Sequence, residues 1–278
     1  MAGIIWLASY PKSGNTWLRS FLHNLLNSPD RSYDINKLTD LTAGESMVAL
    51  YRAQDPRLDQ HYTDERVREL RPLVHRAISQ SSPDNVLVKT HNALVEEDGY
   101  PLISLDLTAG AIYVVRNPLD VAISFSHHNR TTLDQIIEFM NTKLAATVSN
   151  EMNVYECYDT WSAHVASWTA TPSATLHVMR YEDMLANPQK SFAAVVKFLG
   201  IEAPRQRIEK AVRLSSFQVL KEQERRQGFR ERPRDMEAFF REGKAGQWKK
   251  VLSKEQVAAI VAAHREQMVR FGYVPEGM

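Results

Sequence analysis

Only one cysteine, Cys157, occurs in 278 residues. That excludes an internal disulfide and a cysteine-rich metal site, and it fits a reducing compartment. Cys157 itself reads as a small, half-buried hydrophobe. No apolar run approaches the roughly 20 residues that span a bilayer, so stable membrane insertion is not expected. The N-terminal GIIWLAS has no basic stretch before it, is short for a signal peptide and runs straight into a loop motif. It reads as the first buried strand of a cytoplasmic protein. Neither sign of charge is in excess: 34 Lys and Arg against 33 Asp and Glu leave a net charge of +1. The chain as a whole therefore has no pull on nucleic acid or acidic membranes, and any anion site must be local. Internal repeats and low-complexity stretches are absent too.

What is present is an ordinary globular composition, 44% hydrophobic and 24% charged, with enough chain for a real core. Residues 1–278 read as one domain. Four β-rich runs, at 4–9, 86–90, 111–116 and 175–180, are separated by long helical stretches. That order predicts an α/β fold: a three-layer, P-loop-like sandwich with a central parallel sheet and helices on both faces. After the first run, Leu18, Phe21, Leu22, Leu25 and Leu26 repeat at helical spacing. Asn187-Pro188 reads as a helix start and Gly200 as its end. Ser253 and Gln256 form a capping-box pattern before Val257, Ile260, Val261, His264 and Met268. Residues 33–85 are polar and read as helical. Residues 222–250 are charge-rich with an excess of Lys and Arg, either a solvated face or a loop that folds over an anionic ligand.

Between the first strand and first helix lies ASYPKSGNTW, residues 8–17. It has the look of a phosphate-gripping turn, yet the ordinary P-loop reads G-x-x-x-x-G-K-[ST]. Here Asn15 stands where that lysine belongs, and a lysine occurs three places earlier, at Lys12. Ligands of open parallel sheets sit beyond the carboxyl ends of the strands. Behind the four runs come Lys12-Ser13-Gly14-Asn15-Thr16, Lys89-Thr90-His91, Arg116-Asn117-Pro118 with Asp120 and Ser124, and Arg180-Tyr181-Glu182-Asp183. Two lysines, two arginines and a histidine thus gather at one sheet edge. No carboxylate for magnesium follows a second apolar strand, so side chains take over the positive charge a metal would bring.

YPKSGNTW resembles the 5′-phosphosulfate loop, YPKSGTTW, of the cytosolic-type sulfotransferases, which use 3′-phosphoadenosine 5′-phosphosulfate (PAPS). VVRNPLDVAISF is similar to that family's 3′-phosphate motif, VKTHN to the strand end carrying its catalytic histidine, and RYEDM and SSFQVL to its adenine-side segments. REGKAGQWKK resembles its late RKGxxGDWKN loop. These motifs follow the family's order across residues 6–250.

The resemblance implies that Lys12 neutralises the leaving phosphate of PAPS, with Ser13, Gly14, Asn15 and Thr16 holding the 5′-phosphate through N–H and hydroxyl groups. Trp17 would stack on adenine in a pocket completed by Tyr181, Ser215, Phe217 and Leu220. Arg116 and Ser124 would hold the 3′-phosphate, and Arg241 and Gly243 would close over it. Glu242 stands where the family usually has lysine, and the family's C-terminal dimer motif has no match, which leaves the oligomeric state open. His91 would be the general base and Lys89 a second stabilising cation, with His127 and His128 as further candidates for contact with the acceptor.

The implied reaction is metal-independent, in-line sulfuryl transfer to a hydroxyl or amine of a small acceptor, leaving the 3′,5′-bisphosphate PAP. Tyr51, Tyr62, Phe125, Phe139, Tyr155, Tyr158 and Trp161 would suit an aromatic or lipid-like acceptor, whose identity the sequence leaves open. Two rivals remain. A P-loop-type small-molecule kinase or hydrolase is opposed by Asn15 and the missing magnesium carboxylate. A non-catalytic nucleotide-binding protein is opposed by Lys12, Lys89 and His91 together, since binding alone needs no base.

Overall fold

The run Ile4–Ser9 is apolar on both faces, as a strand buried between two parallel neighbours must be. In a computed structural model, which describes residues 3–27, 30–56, 63–233 and 236–278, it forms the central strand β1. In chain order the other elements begin with α1 (Asn15–Asn27), β2 (Ala43–Gly44), α2 (Val48–Gln54), α3 (Asp64–Ser79) and β3 (Val86–Thr90). A small hairpin, β4 (Glu96–Glu97) and β5 (Tyr100–Pro101), leads to β6 (Thr108–Val115), α4 (Pro118–Asn129) and α5 (Leu133–Asn141). Then come α6 (Trp161–Thr169), β7 (Leu176–Arg180), α7 (Tyr181–Ala186), α8 (Pro188–Phe198), α9 (Arg205–Leu214) and α10 (Phe217–Gln227). The chain closes with α11 (Trp248–Val251) and α12 (Lys254–Arg270).

The five-stranded sheet runs β2-β3-β1-β6-β7, and every pairing is parallel. Side chains alternate across it. Ile4, Trp6, Ala8, Val88, Tyr113 and Val115 face one core, shared with α2 to α6 and α12. Leu7, Leu87, Ile112 and Val114 face the other, shared with α1, α8 and α9. The expected three-layer fold is present. The two-residue strand β2 went unforeseen, being too short for any periodicity. The helix signals hold: Asn187 caps α8 by accepting from Lys190 N–H, and Ser253 and Gln256 make a reciprocal capping box on α12. The described residues of 33–85 hold a 3₁₀ segment (Ile35–Asp40), β2, α2 and α3, so the stretch is not all helix. Cys157 is fully buried, deeper than its sequence context suggested.

Strand order reverses at β1: the chain crosses from β3, on one side of β1, to β6 on the other. That reversal opens a crevice beyond the carboxyl ends of β1 and β6, where the loops bearing Lys12 and Arg116 meet. A third apolar cluster of Ile35, Leu38, Leu220, Phe229 and Phe240 roofs this crevice. It joins the 3₁₀ segment Ile35–Asp40 and α10 to Phe229 and Phe240 of the charge-rich late segment.

Candidate active site

The turn after β1 is built from two unusual backbone positions. Lys12 has φ 65° and Gly14 φ 112°, both in the left-handed region that favours glycine. At Gly14 no other residue fits, because an added Cβ would lie 2.8 Å from the Tyr181 ring. Lys12 is kept there by Arg116, whose Nη1 donates to the Lys12 carbonyl at 2.8 Å. Helix α1 starts at Asn15; Trp17 and Leu18 N–H reach back to the Gly14 carbonyl at 3.0 and 3.2 Å, which leaves the N–H groups of Asn15 and Thr16 without a partner within the helix at the positive end of its dipole. Asn15 contributes backbone only. Its side chain turns inward, Nδ2 donating to the Leu7 carbonyl at 2.8 Å, so it ties the turn to β1 instead of reaching a ligand.

Beside this turn lies a cavity of about 1060 Å³. Lys12, Gly14, Asn15, Thr16, Trp17, Lys89, His91, Arg116, Ser124, Tyr181, Phe217, Leu220, Arg241 and Gly243 all line it. Two anticipated residues do not. Ser13 is fully buried behind the turn, its hydroxyl without a partner among the described residues. Ser215 is also fully buried, and its hydroxyl donates to the Val212 carbonyl at 3.3 Å, closing the α9 end. Arg180, at the end of β7, points away: its guanidinium lies 4.8 Å over the Tyr273 ring and pairs with Asp183. Of the two adjacent histidines, His128 lines the cavity while His127 is exposed on the outer face of α4. Among the anticipated acceptor-side aromatics, Phe125, Phe139 and Tyr158 line it, whereas Tyr51, Tyr155 and Trp161 are buried in the core. Tyr62 lies outside the described residues.

The chemistry of His91 is set by one hydrogen bond. Its Nδ1 lies 2.7 Å from the Ser9 carbonyl, which only accepts, so Nδ1 carries the hydrogen. Burial, and then the charge of Lys89, push its pKa well below the ordinary histidine value. The ring is therefore neutral near pH 7, with Nε2 unprotonated. Lys89 lies 3.5 Å from Glu156, a carboxylate of the cavity wall that the sequence did not single out.

Lys12 is pulled down to about 7 by burial first, and then by the charges of Arg116 and Arg241. Its Nζ donates to Nδ1 of His128 at 3.2 Å and sits 4.0 Å from the centre of the Phe239 ring. His128 is pulled down to about 3 by burial and by the charges of Lys12 and Lys89, so it serves as an acceptor. Arg116 stacks 4.3 Å over the Tyr181 ring and leaves Nε unpartnered among the described residues, as is Nη1 of Arg241. Among the described residues seven Lys and Arg line this one cavity, Lys12, Arg19, Lys89, Arg116, Arg230, Arg232 and Arg241, and with the unsatisfied donors of Arg116 and Arg241 they suit an anionic ligand of more than one phosphate-like group.

The roof is tied down by carboxylates, of which the sequence singled out Asp120 alone and without this role. Asp120 on α4 accepts from Gly246 N–H at 2.6 Å and Trp248 N–H at 3.1 Å. Glu224 accepts from Phe239 and Phe240 N–H. Glu231 pairs with buried Arg19 at 2.8 Å. Gly243, with φ 61°, packs so closely on Phe217 that any Cβ would enter the ring. Glu242 pairs with exposed Lys244 at 3.5 Å, yet it also lines the cavity and sets its negative charge beside Arg241.

The family model for the sulfotransferase domain matches residues 3–272. Sulfotransferase 1B1 of Mus musculus is 25% identical over 277 residues, 96% of this chain and 83% of its own. Cytosolic sulfotransferase 17 of Arabidopsis thaliana is 23% identical over 286 residues, 97% of this chain and 75% of its own. Sulfotransferase 1A1 of Canis lupus familiaris is 27% identical over 201 residues; the match takes in 69% of this chain and 64% of the dog protein. Among solved structures, mouse sulfotransferase SULT7A1 complexed with PAP superposes with TM-score 0.65 at 21% identity, over 98% of this chain and 90% of that one. Retinol dehydratase in a complex with retinol and PAP gives TM-score 0.67 at 20% identity, over 96% and 82%.

Proposed function

Since this chain belongs to the sulfotransferase domain family, matched over residues 3–272, we propose that it moves the sulfuryl group of PAPS to a hydroxyl or amine of a small acceptor. The observation that carries the reading is the state of His91: neutral, its hydrogen committed to the Ser9 carbonyl, and its bare Nε2 in the same cavity as Lys12 and Lys89. A base poised this way takes the acceptor's proton as the new S–O bond forms, an effect worth about 10²–10⁴-fold. PAPS supplies an activated sulfuryl group on a good leaving group. Lys12 offsets the charge that grows on the 5′-phosphate as the old S–O bond breaks, and Lys89 offsets charge on the transferring group. Arg116, Ser124 and Arg241 hold the 3′-phosphate, and Trp17, Tyr181, Phe217 and Leu220 hold adenine. Phe125, Phe139 and Tyr158 favour an apolar or aromatic acceptor, a class to which the retinol bound in retinol dehydratase also belongs. The reading includes action as one domain in the cytosol. Among the described residues, no helix is long and apolar enough to cross a membrane. The direct test offers PAPS with a panel of hydroxylated and amine acceptors and measures PAP release. Release above the acceptor-free rate is expected, and its absence across the panel would defeat the proposal.

Activity is expected to be unchanged by EDTA, because Lys12, Lys89, Arg116 and Arg241 supply the positive charge. Loss of turnover with EDTA and recovery with magnesium would put a P-loop kinase ahead. Protection of the late segment is expected as well, since its cations lose a repulsive partner set when an anion binds beneath them. Limited proteolysis should cut between Arg225 and Lys244 more slowly with PAP, and equal cutting would mean that this segment is no lid.

Lys12 makes PAP binding depend on pH. Its free-protein value of about 7 leaves it mostly neutral at pH 8, whereas a bound phosphate favours the ammonium and raises that value. Binding therefore takes up a proton above pH 7. PAP affinity is highest below pH 7 and falls as pH rises through it, by up to about tenfold per unit, until the complex itself titrates. Phosphate groups, with second pKa values near 6, are already ionised in this range. Calorimetry between pH 7 and 9 in buffers of different ionisation enthalpy measures both effects. Flat affinity with no proton uptake would show that Lys12 titrates as an ordinary lysine.

A further inference from the structure

Glu45 follows β2, a strand without any motif, and its side chain is fully buried. Its carboxylate lies between the two residues that flank His91. Oε1 accepts from Thr90 Oγ1 at 3.1 Å and, by a short hydrogen bond, from Asn92 Nδ2. Oε2 faces the guanidinium of Arg71 at 3.1 Å, also fully buried. Burial alone would raise the Glu45 carboxyl; Arg71, with His75 and Asn92, more than offsets this and holds it near 2, so the group is a carboxylate.

A buried ion pair of this kind is poor evidence for stability. Removing two charges from water costs several kcal/mol per ion, and apolar residues of similar volume often serve as well or better. What the pair does supply is direction. Thr90 Oγ1 both donates to Glu45 and accepts from Asn92 N–H, locking the turn on either side of His91. The far side is pinned by two more donors: His164 Nε2 to the His91 carbonyl at 3.0 Å, and Trp168 Nε1 to the Asn92 carbonyl at 3.0 Å. With the backbone held at three consecutive residues, the imidazole has one way to reach the Ser9 carbonyl, which leaves Nε2 bare. Arg71 also donates to the Tyr155 carbonyl at 3.0 Å, coupling this clamp to the strip of cavity wall that bears Glu156.

We infer that Glu45 is a positioning residue for the reaction: through Thr90 and Asn92 it orients His91 so that the bare ring nitrogen faces the acceptor. The inference rests on the sulfotransferase reading for its consequence in turnover, but not for its consequence in the ring.

The test removes the pair as a unit, Glu45→Met with Arg71→Leu, so that neither charge is left buried alone. The expected result is a folded protein melting within a few degrees of the wild type, PAP affinity unchanged, and kcat lower by about 10- to 10²-fold. Nitrogen-15 spectra of the histidine rings should show His91 as a single Nδ1–H form in the wild type and as a mixture of both tautomers in the variant. Thr90→Val, which removes one hydroxyl at nearly constant volume, keeps the question decidable if the double variant does not fold. It should lower kcat several-fold, leave PAP affinity alone and loosen the same tautomer. Unchanged kcat together with an unchanged single tautomer, in whichever variant folds, overturns the inference. So does loss of PAP binding in parallel with kcat, which would make Glu45 a general scaffold residue. If the wild type transfers no sulfuryl group to any acceptor, the functional reading fails, while the ring spectra still decide the role of Glu45.

Discussion

His91→Ala lowers the rate of sulfuryl transfer by about 10²-fold or more and leaves PAP affinity nearly unchanged. The split follows from where the ring sits. Its Nδ1 is spent on the Ser9 carbonyl and its ring lines the cavity; on the proposed reading the other nitrogen serves the acceptor. On the same reading the nucleotide is held by the turn at residues 12–16 and by Arg116. Lys12→Ala is the contrasting control, expected to lose both PAP affinity and turnover because on the proposed reading Lys12 touches the donor in the ground and transition states alike. Rapid-mixing kinetics with PAPS, beside calorimetric titration with PAP, separates the two effects. Should His91→Ala lose PAP as badly as Lys12→Ala, His91 would be a nucleotide or structural residue. Glu156, which lines the cavity beside Lys89, would then be the nearest carboxylate to consider. Glu96 is exposed on the hairpin, Glu97 accepts from the Tyr155 hydroxyl at 2.7 Å, and neither lines the cavity. Nor is His127 placed for it, being turned to solvent.

Arg116→Ala is expected to erase the preference for a 3′-phosphate. In the wild type, PAP should bind at least about 10²-fold more tightly than AMP, which lacks that group. A hundredfold corresponds to about 2.7 kcal/mol, within reach of one or two hydrogen bonds to a charged group at about 1.5–3 kcal/mol each. A guanidinium stacked on Tyr181 is rigid and forked, so a lysine in its place would not restore the effect. The variant should bring the PAP to AMP ratio close to one. Because Arg116 also holds the Lys12 carbonyl, AMP affinity should drop modestly as well, so the ratio is the proper readout. Equal affinity for PAP and AMP in the wild type would remove the 3′-phosphate assignment altogether.

The amino-acid sequence alone determined the parallel α/β architecture and named many of the residues that line the cavity beyond the strand ends. Both are local information. Doubly buried strands read as apolar runs, caps and turns read from neighbouring residues, and a ligand at strand ends is served by the few residues that follow each strand. Lys12, Lys89, His91 and Arg116 are legible for that reason. Where such reasoning slipped, at Arg180 and Ser215, the right residue type stood at the right place along the chain but its side chain had a partner elsewhere, Tyr273 in one case and the Val212 carbonyl in the other. Only the tertiary structure decided the tautomer of His91, the depressed titration of Lys12, the inward turn of Asn15 and the carboxylates that tie down the roof. Glu45 belongs with these. It stands 46 residues before His91, and no spacing rule links them. Burial and charge become properties of a residue only when distant segments close around it, and at this site that closure sets the protonation of the groups the chemistry depends on.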